Sequence, residues 1–318
     1  MKFLSLLSKS AIIERIFLRL TLKEHRTMQE TIVRAYAKIN LAIDIKGKRE
    51  DGYHELDRVT VPLKLHDSIE ISPLAASSGK DTYLYCDDPT IICDESNLAY
   101  KALDFRRENH QVNGSYQILI HKRIPVRAGL GGGSADAAAV RHAVEHYNPS
   151  KEKEEIEKRR AVNVSSDVPF CLLNKPCRVQ GKGEILTPIE IKDDYHVLIV
   201  KPKEGLSTKS VFEAYDLIDP NEVVHPNIDA LRKGLREGKE DLIQQNRINV
   251  LSLPAIKALP LIGEILKQRQ DRKLSLCGRS GTGSACYALS KDKKKIEAAY
   301  HFFEQKGYEV YSTQFLLC

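Results

Sequence analysis

The sequence predicts a soluble globular protein of mixed strands and helices, large enough for one large or two modest domains. Three observations carry this. The chain has 318 residues, 42% of them hydrophobic and 29% charged, an ordinary balance for a protein with a buried core. Stretches that alternate with a period of two are interleaved with stretches of helical period. One dense glycine cluster runs directly into an alanine-rich, helix-forming segment.

The charge pattern narrows the partners. A net charge of +6 is mild and is spread along the chain. It suits anionic small molecules and gives no argument for nucleic acid or a membrane surface. The seven cysteines (Cys86, Cys93, Cys171, Cys177, Cys277, Cys286 and Cys318) show no C-x-x-C pair or Cys/His ligand spacing. That argues against a structural metal and for a reducing cytoplasm.

Residues 1–27 interleave leucines and isoleucines with Lys9, Arg15, Arg19 and Lys23. No apolar run reaches the ~20 residues that span a bilayer. The stretch reads as an overextended start ahead of Met28, or as a helical or amphipathic targeting segment, plastid targeting included. From Thr31 to Ile45 the alternation of Ile39, Leu41, Ile43 and Ile45 with polar or small residues predicts a half-buried strand. Its period of two sets Lys38 and Asn40 on one face. Gly47 and Asp51-Gly52 mark a turn, followed by Tyr53 and His54. Val59 to Leu65 and Asp67 to Ile71 read as two further strands, and Ala75 to Lys80 as a polar loop. Ser96-Asn97 caps a helix with Leu98, Ala102 and Phe105 on one face. Tyr116 to Ile120 is a strand that leads into the glycine cluster.

The cluster itself, Ile124 to Ala139, reads I-P-V-R-A-G-L-G-G-G-S-A-D-A-A-A. Gly129, Gly131, Gly132 and Gly133 allow positive φ and close approach to the backbone. Ser134 is the expected cap of a helix that runs to about His146. A glycine loop entering a helix N-terminus is either a flexible turn or an anion cradle of unpaired N–H groups. The density of this one, and its abrupt passage into helix, favour the cradle. It is not a G-x-x-x-x-G-K-[ST] loop, and Ser134 stands where G-x-G-x-x-G would end in glycine.

Beyond it, Lys151 to Arg160 predicts an exposed, charge-laced helix. Asp167, in S-S-D-V-P-F, is by spacing alone a turn or cap residue. A domain boundary is expected near residue 178, between units at 28–178 and 179–318. His196 to Val200 predicts a buried strand, and Ser207 or Thr208 caps a helix containing Phe212. Leu274 to Gly278 and Ala285 to Leu289 are strands flanking R-S-G-T-G-S-A, and Asp292 to Lys306 is a capped terminal helix. Asn246 and Asn249 receive no role.

The glycine cluster resembles the phosphate loop of the GHMP small-molecule kinases nearly letter for letter. A-K-I-N-L (Ala37 to Leu41) resembles the first motif of that family, and G-T-G (Gly281, Thr282, Gly283) the third. D-G-Y-H-E-L (Asp51 to Leu56) resembles the diphosphocytidyl-methylerythritol kinase branch. S-S-D-V-P-F resembles G-A-D-V-P-F, with Ser165-Ser166 departing from Gly-Ala. The likeness covers Thr31 to the C-terminus, with all motifs in order.

The resemblance implies an α+β GHMP kinase fold: an N-terminal domain like ribosomal protein S5 domain 2 and a C-terminal ferredoxin-like domain. It implies ATP-dependent phosphorylation, with Mg²⁺, of the 2-hydroxyl of a diphosphocytidyl methylerythritol in non-mevalonate isoprenoid synthesis. Lys38 and Asp167 become catalytic candidates, the Asp as base. Pro125, Gly129 to Ser134 (through Leu130), Ala135 and Asn97 become ATP-binding candidates, with Ser134 also touching Mg²⁺. Asn40, Tyr53, His54, Thr208, Phe212 and Gly281 to Gly283 become substrate contacts, Phe212 stacking on cytosine or filling the core. A cytoplasmic monomer or homodimer is expected, with no nucleic-acid or membrane partner. The rival readings are a mevalonate or homoserine type of kinase and a non-catalytic nucleotide-binding relative.

Overall fold

The computed structural model describes residues 30–74, 81–110, 112–149, 154–271, 274 and 276–317. The expectations for residues 1–27 and for the loop at 75–80 lie outside these. Two sheets organise the chain. The first has six strands: β1 (Thr31–Lys48), β2 (His54–Pro73), β3 (Thr82–Cys86), β4 (Tyr116–His121), β5 (Cys177–Gly181) and β6 (Ile185–Pro188). The two expected strands at 59–71 are one continuous strand. β1 pairs antiparallel with nearly the whole of β2. The other edge of β2 is shared, taking β5 at Leu56 to Thr60 and β4 at Ser68 to Pro73. The long hairpin turns where the sequence places it, with Gly52 at φ 82.

Strands β3 and β4 are parallel, joined by helix α1 (Leu98–His110). Asn97 starts that helix as expected, its Oδ1 accepting from the Ala99 N–H at 2.9 Å. Helix α2 (Gly132–Tyr147) follows the glycine loop and packs on β1, β2 and α1. Its small residues allow the close approach, since Ala135 and Ala137 to Ala139 are all buried. Helices α3 (Glu154–Ala161) and α4 (Val168–Leu173) complete the layer.

The second sheet contains β7 (His196–Lys201), β8 (Leu276–Arg279), β9 (Cys286–Ser290) and β10 (Glu309–Gln314), in the order β10-β7-β9-β8 and wholly antiparallel. This is the βαββαβ arrangement of a ferredoxin-like unit. Helices α5 (Thr208–Tyr215), α6 (Ile228–Glu237), α7 (Glu240–Asn246), α8 (Ser252–Ala258) and α9 (Leu261–Asp271) fill the first crossover. α10 (Lys293–Gln305) forms the second, capped by Asp292 as its sequence predicts. Ser207, rather than Thr208, caps α5, its hydroxyl accepting from the Ser210 N–H.

The first sheet continues through the β5–β6 hairpin to Pro188, so the change of sheet falls between 188 and 196 and not at 178. The sheets are also not independent. Val197 and Ile199 join the core around the first sheet, whereas Leu198 and Val200 join a second core beneath α10. The period of two in β7 thus serves two apolar layers, which explains its unbroken H-V-L-I-V run. β1 departs from its expected half-buried state for a related reason. Everything from Ala37 to Ile45 is buried, because the glycine loop and the second sheet cover the face that carries Lys38 and Asn40. Among the described residues no helix is long and apolar enough to cross a membrane.

Candidate active site

Two glycine turns meet back to back and set the frame. The loop at 128–134 is held against the 280–283 turn. A Cβ on Gly129 would lie 2.3 Å from the Ser280 carbonyl oxygen, and one on Gly283 would lie 2.2 Å from the Gly129 nitrogen. Gly129 and Gly131 also take left-handed φ values of 76 and 71. No larger residue satisfies both the contact and the torsion. Ser280 ties the junction together, accepting from the Asn40 N–H and donating to the Gly129 carbonyl at 2.9 Å. Asn249 supports it from below, its amide nitrogen donating to the carbonyls of Gly281 (2.9 Å) and Arg279 (3.2 Å).

The helix begins three residues earlier than expected. Gly131 is its N-cap, in the left-handed region, so Ser134 is not a cap but lies in the first turn. Its hydroxyl pairs with the Ser165 hydroxyl at 3.1 Å, on the wall of a cleft of about 690 Å³. Gly129, Gly131, Gly132, Gly133 and Pro125 line the same cleft. Leu130 also lies on it, and its carbonyl accepts the Lys38 N–H at 2.9 Å, which fastens β1 to the loop. Ala135 does not line the cleft and is a packing residue. Asn97 borders the cleft, with its amide committed to Ala99 and to the Ile92 carbonyl.

Lys38 and Asp167, 129 positions apart in the sequence, face each other across this cleft at 3.2 Å. Asp167 sits at the N-terminal boundary of α4 without making a capping bond. Its carboxylate instead meets Lys38 through Oδ2 and Arg58 through Oδ1, the latter at 2.7 Å. Burial by itself would raise this carboxyl, but the charges of Lys38 and Arg58 prevail and hold it well below the usual carboxylate range. For Lys38 burial prevails, and its pKa is lowered despite the attraction of Asp167.

Arg58 was missed in the sequence because an arginine in a strand is ordinarily a solvated face residue. Here it is buried, and it also donates to the Ser166 carbonyl at 3.2 Å. Gly183 closes on the same carbonyl, where a Cβ would stand 1.9 Å from the oxygen. The Ser165-Ser166 segment is therefore clamped, and Asp167 is positioned despite the altered approach.

Asn40 was expected to contact substrate and does not reach the cleft. It is wholly buried, accepting from Lys38 Nζ at 2.7 Å and donating to Thr60 at 2.9 Å. Period two placed it beside Lys38 correctly, and its side-chain oxygen holds that ammonium. Gly283 likewise packs behind the glycine loop, while Gly281 and Thr282 line the cleft. Thr282 and Thr208 join their hydroxyls at 2.9 Å on the opposite wall.

Phe212, on α5, also lines the cleft and is partly exposed to it. His54 stacks on Phe212 with ring centroids 4.8 Å apart and planes 20° apart. His54 Nε2 lies 2.6 Å from Asp216, and Lys48 pairs with the same carboxylate at 2.6 Å. Because a carboxylate only accepts, Nε2 carries the proton and Nδ1 is the ring's remaining acceptor when the imidazole is neutral. Asp216 was not singled out from the sequence. Tyr53 stands apart from this cluster, 60% exposed with the Lys182 ammonium 4.4 Å from its ring.

At the floor Lys122 bridges Asp67 (2.6 Å) and Asp136 (2.9 Å). Burial, opposed by Lys122 and reinforced by Asp67, pushes the Asp136 carboxyl up to about 7.

A glycine-loop cradle, a buried Lys–Asp–Arg cluster and an aromatic wall thus share one cleft, a geometry suited to phosphoryl transfer. Comparisons with known proteins agree. The model of the GHMP kinases N terminal domain matches residues 97–175. The 4-diphosphocytidyl-2-C-methyl-D-erythritol kinase of Clostridium kluyveri is 34% identical over 284 residues, covering 89% of this chain and 99% of the relative. That of Acetivibrio thermocellus is 34% identical over 291 residues, covering 90% and 99%. A crystal structure of 4-(cytidine 5'-diphospho)-2C-methyl-D-erythritol kinase superposes with a TM-score of 0.73 at 28% identity, covering 90% of this chain and 99% of that one. Homoserine kinase from Cytophaga hutchinsonii shares the fold at 15% identity and a TM-score of 0.67. With identity of this order along nearly its whole described length, the chain belongs to the 4-diphosphocytidyl-2-C-methyl-D-erythritol kinase family of the GHMP kinases.

Proposed function

We propose that this protein transfers the γ-phosphoryl group of ATP to the 2-hydroxyl of 4-diphosphocytidyl-2-C-methyl-D-erythritol, a step of non-mevalonate isoprenoid precursor synthesis. The observation that carries the chemistry is the Lys38–Asp167–Arg58 cluster facing the glycine loop across one cleft. The acceptor alcohol oxygen attacks the γ-phosphorus, the bond to the β-bridging oxygen breaks, and ADP leaves. Phosphoryl transfer asks the protein chiefly for positioning and charge stabilisation. The N–H groups of the loop and of the first turn of α2 cradle the donor phosphates. Asp167 stays ionised and accepts a hydrogen bond from the alcohol, aiming its oxygen. With so low a proton affinity it takes the proton late, once the oxygen has bonded to phosphorus and become strongly acidic. Lys38, aimed by Asn40, supplies positive charge where negative charge develops.

Mg²⁺ fits this site as a hard cation held largely by donor phosphates. The Ser134 hydroxyl and Asp136 Oδ1, a buried oxygen with no hydrogen-bond partner among the described residues, are the chain's oxygens for it. When bound, the ion neutralises charge on the phosphate oxygens.

Phe212 offers a face on which cytosine stacks, and His54 Nδ1 an acceptor for its exocyclic amine. Tyr53, next to His54 in the chain and exposed, offers a further ring to the cytidine end. The test is ADP release from Mg-ATP with the cytidine compound, mevalonate or homoserine as acceptor. Turnover with the first alone is expected. Turnover with mevalonate or homoserine alone refutes the assignment of His54 and Phe212.

A further inference from the structure

Four cationic side chains line the main cleft: Lys38, Arg58, Lys122 and Arg127. Three of them face carboxylates. Lys38 and Arg58 share Asp167, and Lys122 bridges Asp67 and Asp136. Arg127 is exposed and has no ion pair or hydrogen bond among the described residues. Among the described residues its charge is the one on this wall that no protein anion pairs with.

Its backbone is as unusual as its charge. Arg127 has φ 54, one of two non-glycine residues with positive φ among those described. The same loop places glycine at its other left-handed positions, Gly129 and Gly131. A side chain in that region is disfavoured by contact between Cβ and the backbone, and such outliers gather where a ligand is held. The stem of Arg127 is also guided. It runs over Gly205, where a Cβ would stand 2.8 Å from Arg127 Cβ and 3.2 Å from its Cδ. Gly205 begins the segment that leads to Thr208, on the far wall. Arg127 therefore spans from the glycine loop towards that wall, and it lines both the main cleft and a neighbouring basic cleft of about 500 Å³ that includes Lys201 and Lys203.

We propose that Arg127 is a phosphate-binding residue of this enzyme, its guanidinium holding an oxyanion of the bound polyphosphate. The shared chemistry is a diphosphate or triphosphate group, which either the donor nucleotide or the diphosphate of the acceptor supplies. A guanidinium suits this role because its fork of donors matches phosphate oxygens, and it stays charged at any working pH.

The proposal rests on the kinase reading above, and wild-type turnover tests that reading separately. The test of this one compares wild type with Arg127→Gly and Arg127→Gln for Tm, for KM of Mg-ATP and for KM of the cytidine acceptor. Glycine removes both the charge and the torsional penalty, so Tm should hold or rise while one KM increases about ten- to a hundredfold. An increase in KM for Mg-ATP identifies the donor's phosphates as the partner; an increase for the acceptor alone identifies its diphosphate. Arg127→Gln, which keeps a polar stem without charge, should show the same KM defect. Unchanged KM values in both variants would overturn the proposal, and a lower Tm in the glycine variant would then mark Arg127 as a packing residue.

Discussion

Replacing Asp167 by Asn tests the centre of the site with the smallest change of shape. The amide keeps the volume and removes the single anion that lies 3.2 Å from Lys38 and 2.7 Å from Arg58. Both cations are nearly inaccessible, with side chains 3% and 6% exposed, so neither is rescued by water. Breaking a buried pair by removing one partner costs about 3–5 kcal/mol. At roughly 2–3 °C per kcal/mol for a chain of this size, Tm should fall by about 6–15 °C. The loss should depend on pH in a defined direction. Burial already lowers the Lys38 pKa, and without Asp167 it falls further. The folded variant then binds fewer protons than the unfolded chain between that lowered value and the ordinary lysine value, so its stability rises with pH there. Thermal melts from about pH 6 to 9 should show the gap to wild type narrowing as pH rises. ADP release should fall by about 10²–10⁴-fold. A gap that stays constant across this range would refute the claim that Lys38 is the uncompensated charge. Full activity would remove Asp167 from the reaction.

Arg58→Met deletes one of the two charges that hold Asp167 low, so its carboxyl should rise towards the ordinary range. The kcat profile should then gain a decline on the acid side at about pH 4–5 that wild type lacks, and superimposable profiles would contradict this. Gly129→Ala should be far more damaging than Gly307→Ala. Both have positive φ, but a Cβ at Gly307 meets nothing within 4 Å whereas one at Gly129 strikes Ser280 and Gly283. Urea midpoints should show a loss of about 1–2 kcal/mol at Gly307 and poor folding at Gly129; equal losses would mean that the two glycine turns do not meet. The depressed Asp167 carboxyl stabilises the folded state above the ordinary aspartate pKa and ceases to do so as pH falls through its folded value. Denaturation midpoints should therefore drop more steeply below about pH 4 in wild type than in Asp167→Asn, and identical slopes would oppose this.

Local chemistry made much of the protein legible in the sequence. The glycine loop, the caps at Asn97 and Asp292, the turn at Asp51-Gly52 and the run from His196 to Val200 each depend on neighbours in the chain. Their torsions and periodicities are therefore written in adjacent letters. The motifs around Lys38, His54 and Asp167 were readable as a constellation only through their resemblance to GHMP kinase motifs in the same order.

The tertiary structure decided whatever depends on who covers whom. β1 alternates like a half-buried strand, yet its polar face is sealed by the glycine loop and the second sheet, which leaves Asn40 wholly buried against Lys38 instead of lining the cleft. Arg58, Asp216, Asn249 and Ser280 carried no local signal, because a charged, amide or hydroxyl residue gains a role only when a distant segment places its partner within reach. The sequence by itself determined the glycine loop, its passage into a helix and the residue types that stand beside it. Only the packing of two sheets determined which of those residues share a charge, since a Coulomb interaction depends on separation in space and burial, and neither follows from separation along the chain.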